Sequence, residues 1–312
     1  MGGTLVGGIC ADRLGRRPVL LTSHFASAVC TIMLGLSTSD ALLLGSALLV
    51  GFFAGASRPA TSAMIADVLP PEDRVRAFSL NYWAMNLGFA TSVIFAGLAA
   101  EAGFRLLFFA DAGATFLCWL VLLVAVPEPQ RAPRPAKDAA APPVPGLRRI
   151  MADRRFASCV VLFILMAAVL QQMTVTLPID MSGAGLSQTA CGAVIALNGV
   201  VICLFQVPAG GLLPRCPPFT MLSLAAALIG IGFGLTAFAD STLAFAVTVV
   251  IWTAGEVISG PVSMEVTARF ATATSQGRYQ GVGAFAWTVG GTIASAVGGS
   301  NAQDLIAVHG GG

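Results

Sequence analysis

Two ionisable side chains stand inside runs apolar enough for a bilayer: Arg58 in the stretch 41–68 and Glu256 in the stretch 243–270. An arginine near a bilayer centre costs about 2.5–3.5 kcal/mol on insertion scales, so Arg58 is expected to face the bundle or a cavity and to have a partner. A structural ion pair is the plainest way to satisfy that expectation. A carboxyl held away from water favours its neutral form. Glu256 could therefore take up and release a proton or hold a cation, the alternative being a structural hydrogen bond. The densest charge lies in Gly8-Ile-Cys-Ala-Asp12-Arg13-Leu-Gly15-Arg16-Arg17-Pro18. Its glycines permit a tight turn and close helix approach, and they bring a carboxylate within pairing distance of several guanidiniums. Gln172, Asn198 and Gln206 are polar in otherwise apolar stretches. They either line a cavity or hydrogen-bond between helices. Trp287 and Trp83 offer flat faces to a lipophilic cation, although Trp83 equally suits an interfacial anchor.

The elements that must position these residues are membrane spans. Hydrophobic residues make up 56% of the 312 residues and charged ones 10%, where a soluble domain carries roughly a quarter charged. Nine runs are long enough to cross a hydrocarbon core of about 30 Å as helices: 18–37, 41–68, 77–100, 104–126, 157–179, 189–213, 218–239, 243–270 and 278–299. Residues 1–10 form only a partial span, and 301–312 read as a polar tail. The fold class expected is all-α, a polytopic transmembrane helix bundle. Cytoplasmic loops accumulate basic residues. With alternating spans and 12–18 on the cytoplasmic side, all of the 17 lysines and arginines except Arg58 and Arg105 fall on that side.

A proline-rich segment, 127–156, divides the chain and is expected to be a cytoplasmic linker. Its second part, 146–156, reads as a short interfacial helix whose arginines suit anionic headgroups, or as a solvated loop. The flanking parts match at an offset of 202 residues. Gly8 pairs with Gly210, Arg13 with Arg215, Ser57 with Ser259, Pro59 with Pro261, Ala66 with Ala268, Arg76 with Arg278 and Gly88 with Gly290. Parallel repeats of this kind belong to transporters whose halves rock around a central site. The expected domains are a helical half at 1–126, the linker at 127–156, a second half at 157–300 and the tail.

Other classes find no support in the sequence. There is no zinc-protease, hydrolase-elbow or phosphate-loop motif, and the one lysine, Lys137, lies in the linker. No enzyme activity, metal site or cofactor is expected. Nucleic-acid binding lacks its basic, aromatic-interleaved face. Seven cysteines, mostly inside apolar runs, do not suggest a disulfide framework. Arginine outnumbers lysine 16 to 1 beside abundant Ala and Gly, which hints at a GC-rich bacterial gene.

The 8–18 motif resembles the loop between the second and third helices of the major facilitator superfamily. The stretches 59–67 through Arg76, 172–178, 197–199, 206–208 and Gly277-Arg-Tyr-Gln-Gly281 resemble its bacterial twelve-helix drug:proton antiporters. The resemblance runs from residue 1 to about 299. It implies a secondary transporter exporting small lipophilic or cationic compounds in exchange for protons by alternating access. The partners implied are the substrate, protons and the lipid bilayer, with a monomer in a bacterial inner membrane. It also implies a conformational latch built from Gly8, Asp12, Arg13, Gly15, Arg16, Arg17 and Asp67. In that latch Asp12 would meet the positive end of the helix starting near Gly277, and Arg16 or Arg17 would pair with Asp67; ordinary positive-inside charge is the plainer reading. Arg58, Glu256, Gln172, Asn198, Gln206 and Trp287 would mark the proton and substrate pathway. Three features depart from the family pattern. Pro59-Ala-Thr-Ser follows Arg58 in place of Gln-Gly, Ser92-Val-Ile-Phe-Ala-Gly97 lacks the fifth-helix proline, and Pro214 takes the place of an aspartate in the second half. A first helix, part of a second and a twelfth are expected to be missing from this chain. An inactive remnant of such a transporter and a facilitator-type metabolite transporter are the alternatives.

Overall fold

The computed structural model describes residues 1–102, 104–128 and 145–309, with side chains described except at 93–102, 104, 175 and 297–309. Every regular element among them is helical, as backbone in hydrocarbon requires when it must satisfy its own hydrogen bonds. In chain order the α-helices are α1 (Gly2–Leu14), α2 (Arg16–Gly35), α3 (Asp40–Val68), α4 (Pro71–Ala102), α5 (Phe104–Ala125), α6 (Leu147–Ala152), α7 (Arg154–Gly183), α8 (Gln188–Leu212), α9 (Pro218–Thr236), α10 (Thr242–Phe270) and α11 (Gln276–His309). Each of the nine expected spans falls on one helix. Seven helices are long and apolar enough over their described residues to cross a membrane. With 13 residues, α1 is about 20 Å long, short of a full crossing.

Local chemistry sets the helix ends. Gly15 adopts φ 120° between α1 and α2, a conformation that favours glycine. Ser39 Oγ accepts the Leu42 N–H at the start of α3 (3.4 Å), and Ser187 Oγ accepts the Ala190 N–H at the start of α8 (3.2 Å). Pro71 opens α4 and Pro218 opens α9, positions where the missing N–H costs no helical bond.

Two expectations change. The segment expected to be one helix, 146–156, is two: α6 ends at Ala152, and Asp153 Oδ1 accepts the N–H groups of Arg155 (3.0 Å) and Phe156 (3.5 Å) to start α7. A capping aspartate thus restarts the helix. The helix α11 runs to His309, past residue 299, where the expected span ends, through residues that hold no proline. The proline-rich stretch 129–144 lies outside the described residues, as does 310–312.

Two compact units are formed, each drawing on both sequence halves. The first comprises Met1–Arg74, Gly88–Ala157 and Thr267–Phe285. Its α1 lies backbone to backbone on α3: a Cβ at Gly3 would stand 2.1 Å from the Phe52 carbonyl oxygen, and one at Gly7 would stand 2.4 Å from that of Ala56. Ala11, Val19, Leu20 and Ala60 fill the core between α1, α2 and α3. Along α2 lies α5, with Phe108 against Gly35 and the Trp119 ring 5.5 Å from that of Phe25. The second unit comprises Val75–Leu87, Ser158–Val266 and Ala286–Gly312. Its core joins Leu177 and Met181 of α7 to Cys191 and Val194 of α8 and to Phe245, Val249 and Trp252 of α10. Trp252 stacks on Phe233 of α9 at 4.9 Å, over a backbone opened by Gly232. Large apolar side chains such as Leu48, Leu117, Val124, Leu204 and Leu243 are exposed, as surfaces bathed in lipid are.

The α1–α3 contact yields the first prediction. Gly7→Leu is expected to destabilise the protein by about 1–3 kcal/mol through overpacking. Gly51→Leu should be close to neutral, since nothing stands within 4 Å of a Cβ there. Thermal midpoints of the two purified variants test the contrast.

Candidate functional site

The charged motif at the α1–α2 turn folds into a cluster in the first unit. Asp12 lies in the last turn of α1, its side chain 2% exposed. Its Oδ1 accepts the Gly277 N–H at 2.8 Å and its Oδ2 the Arg278 N–H at 3.0 Å. These are orphan donors in the first turn of α11, where the helix dipole adds its own attraction for an anion. The approach is possible because α1 and α11 touch through glycine: a Cβ at Gly8 would lie 2.2 Å from the Gly277 carbonyl oxygen, and one at Gly281 would lie 2.8 Å from that of Thr4. The Arg278 guanidinium lies 3.8 Å from Asp12 and donates to the Pro145 carbonyl at 2.8 Å. Burial, the strongest influence, raises the Asp12 carboxyl above the ordinary aspartate value, against the pull of the two N–H groups and of Arg16 and Arg278.

Arg16 is the hub of the cluster. Although 4% exposed, it reaches Asp67 Oδ2 at 2.7 Å and Asp12 Oδ1 at 3.5 Å. It also donates to the carbonyls of Ala11 (3.0 Å) and Ala273 (3.3 Å). Arg16, then, and not Arg17, is the partner of Asp67. Arg17 donates instead to the Leu123 carbonyl near the end of α5, at 2.7 Å. Arg13 is exposed. A residue not singled out from sequence completes the cluster: Glu128, just beyond α5, accepts the backbone N–H groups of Arg16 (2.9 Å) and Arg17 (2.8 Å). It caps α2 as Asp12 caps α11. A Cβ at residue 15 would stand 2.6 Å from Glu128 Oε1, so Gly15 serves both the turn and the cap. A cavity of about 520 Å³ beside the cluster is lined by Asp67, Arg74, Arg269 and Gln276, among others.

The second unit holds the membrane-embedded carboxylate. Glu256 on α10 is half-buried. Its Oε1 accepts the Tyr82 hydroxyl at 2.8 Å and its Oε2 the Asn198 amide at 2.8 Å. Asn198 Nδ2 also donates to Thr253 Oγ1 at 3.0 Å, so three helices, α4, α8 and α10, converge on one carboxyl. Tyr82 was not foreseen. Its signal is rarity: it is one of 2 tyrosines, set in an apolar run where a hydroxyl needs a partner. Trp83 Nε1 donates to the Cys203 carbonyl at 3.1 Å, tying α4 to α8.

The remaining candidates scatter. Gln206 is fully buried and donates to the Val257 carbonyl at 3.1 Å, tying α8 to α10. Gln172 accepts a hydrogen bond from Thr176 and lines a cavity of about 440 Å³ with Thr176, Asp180, Phe233 and Thr236, whose lining does not include Glu256. Trp287 is half-buried on α11. Arg58 is exposed and makes no hydrogen bond or ion pair with a described residue, so the partner expected for it is not found. Glu265, which hydropathy places near an interface, is fully buried.

A helical bundle of this length, with a glycine-packed, carboxylate-capped turn and a half-buried carboxyl on a membrane helix, defines a polytopic membrane transporter. The family model of the Major Facilitator Superfamily matches residues 1–295, and the chain belongs to that superfamily, a multi-pass membrane protein with the family and fold of transporters. Multidrug resistance protein MdtH of Citrobacter koseri is 24% identical over 305 residues, covering 93% of this chain and 71% of that protein. MdtH of Salmonella paratyphi B is 24% identical over 297 residues, with the same 93% and 71% coverage. Among solved structures, the human organic anion transporter MFSD10 aligns with a TM-score of 0.75 at 22% identity, over 95% of this chain and 74% of its own. The transporter FucP, in its outward conformation, aligns with a TM-score of 0.77 at 14% identity, over 95% and 78%.

If Asp12 and Arg16 act as one cluster, their losses are not additive. Asp12→Asn and Arg16→Ala are each expected to cost about 2 kcal/mol, as charge-assisted hydrogen bonds do. The double variant should fall short of the sum by about 1 kcal/mol. Thermal midpoints of the three variants against the unaltered chain measure the coupling.

Proposed function

We propose that this chain is a secondary active transporter that exports small lipophilic or cationic compounds in exchange for protons, with Glu256 as the group on which proton and substrate compete. The observation that carries the reading is a carboxyl on a membrane helix held by two neutral donors, Tyr82 and Asn198, with no cation among its bonded partners in the described residues. A charge kept in that environment marks a pathway more often than a structural feature, and the name of the 24% identical MdtH proteins points the same way. The halves 1–126 and 157–300, joined by the linker 127–156, rock to give alternating access in a bacterial inner membrane, the chain working as a monomer. The contacts of Asp12 with α11 and of Arg16 with the Ala273 carbonyl tie first-half to second-half residues, and Asp67 holds Arg16 in place for them. They favour the state in which they form, and a ligand that binds another state better opens them.

Dye-efflux measurements in cells producing the chain test this reading. Efflux should require a proton gradient, stop on adding a protonophore, and fall at least about tenfold in Glu256→Gln. Concentrative uptake of a single metabolite, unaltered by Glu256→Gln, would refute it in favour of a metabolite transporter.

A further inference from the structure

The setting of Glu256 says more about its ligand than that it is cationic. Its two oxygens are treated differently. The Oε2 side is fixed, because Asn198 and Thr253 are buried at 8% and 0% exposure and bonded to each other. Among the described residues the Oε1 side rests on Tyr82 alone, a residue of α4 meeting the carboxyl from a different helix. What places that ring is an absence: a Cβ at Gly260, one turn along α10, would stand 2.8 Å from both Cδ2 and Cε2 of Tyr82. The ring therefore lies on bare helix backbone, and its hydroxyl reaches Oε1. Tyr82 is also tied through its backbone, its carbonyl accepting the Asn86 side-chain amide at 2.9 Å.

A carboxylate has about four acceptor sites, two on each oxygen, and the tyrosine hydroxyl occupies one of the two on Oε1. An arriving cation must share Oε1 with it or replace it. An ammonium that still carries an N–H gives Oε1 a donor in exchange for the one displaced. A quaternary ammonium displaces the hydroxyl and returns none, leaving a half-buried acceptor without its donor. Resting on the reading of Glu256 as the cation and proton group, we propose that Tyr82 is a specificity and release residue: its hydroxyl stands in for the N–H of an amphipathic amine, competes with it, and drives it off when the site empties.

Competition gives Tyr82→Phe an unusual sign. Loss of a group that contacts the ligand, or loss of structural order, weakens binding. Loss of a competitor strengthens it and slows release. The test uses the full chain in lipid nanodiscs, with chlorpromazine, a protonated tertiary amine, and its N-methylated quaternary derivative, titrated calorimetrically at neutral pH. The unaltered chain should bind the tertiary amine about tenfold more tightly than the quaternary one, and Glu256→Gln should bind neither. Tyr82→Phe should bind the tertiary amine about tenfold more tightly than the unaltered chain, with KM and kcat for its transport both reduced. Gly260→Ala, which pushes the ring off without removing its hydroxyl, should shift binding in the same direction. Weaker or unchanged binding in Tyr82→Phe, while binding still depends on Glu256, would overturn the role of Tyr82 and leave the wider reading of Glu256 standing. Binding that does not change in Glu256→Gln would remove the wider reading, and this inference with it.

Discussion

A polar group surrounded by hydrocarbon must find its partner inside the protein, and the placement of most functional side chains here follows from that constraint. Unsatisfied donors and acceptors cost several kcal/mol each in the bilayer core. The Trp83 indole turns to the Cys203 carbonyl, Gln206 to the Val257 carbonyl, and Tyr82 and Asn198 to Glu256. Each bond crosses from one helix to another, so polarity supplies the specificity that apolar surfaces lack where lipid is as apolar as leucine. The charged cluster of the first unit obeys the same constraint at helix ends, where four N–H groups have no intrahelical partner. Asp12 and Glu128 supply acceptors to α11 and α2 in matching ways.

The internal repeat makes one kind of contact twice and completes it once. At an offset of 202, Gly8 corresponds to Gly210 and Gly281 to Ser79. In the first unit Gly8 packs on Gly277 and Gly281; in the second, Gly210 packs on Ser79, where an added Cβ would stand 2.7 Å from the serine Cβ. The carboxylate cap appears only in the first. Pro214 replacing aspartate is one reason. Helix geometry supplies the other. α11 begins at Gln276, leaving the Gly277 and Arg278 N–H groups open, whereas α4 begins at Pro71. The equivalent N–H groups, at Val75 and Arg76, are then inside a helix and already bonded. An aspartate there would have no donors to cap.

Much of this was legible beforehand, for reasons that differ between residues. Asp12 meeting the start of α11 was implied by the resemblance of the 8–18 motif to the superfamily's loop, and a carboxylate at a helix N-terminus beside close-packing glycines makes physical sense of it. Asn198 and Glu256 each stood out as polar in an apolar run, but nothing in their separation of 58 residues says that they touch. Tyr82 carries only a faint signal, a hydroxyl in an apolar run that needs some partner without saying which, and Glu128 carries none, since a glutamate is ordinary after a helix. Arg58 was the opposite case, conspicuous in sequence yet exposed and unbonded to described residues.

By itself the sequence determined the long helices and the internal repeat, because hydropathy and helix-terminal residues act over a few turns of contiguous chain. It also determined that a charged turn and a lone carboxyl would need partners. Only the tertiary structure decided who those partners are. Arg16 and not Arg17 reaches Asp67, a glutamate past α5 caps α2, and a tyrosine laid against Gly260 holds Glu256. These choices depend on which helix faces meet and how closely. Such distances are set by the packing of residues far apart in the chain, and no local pattern encodes them.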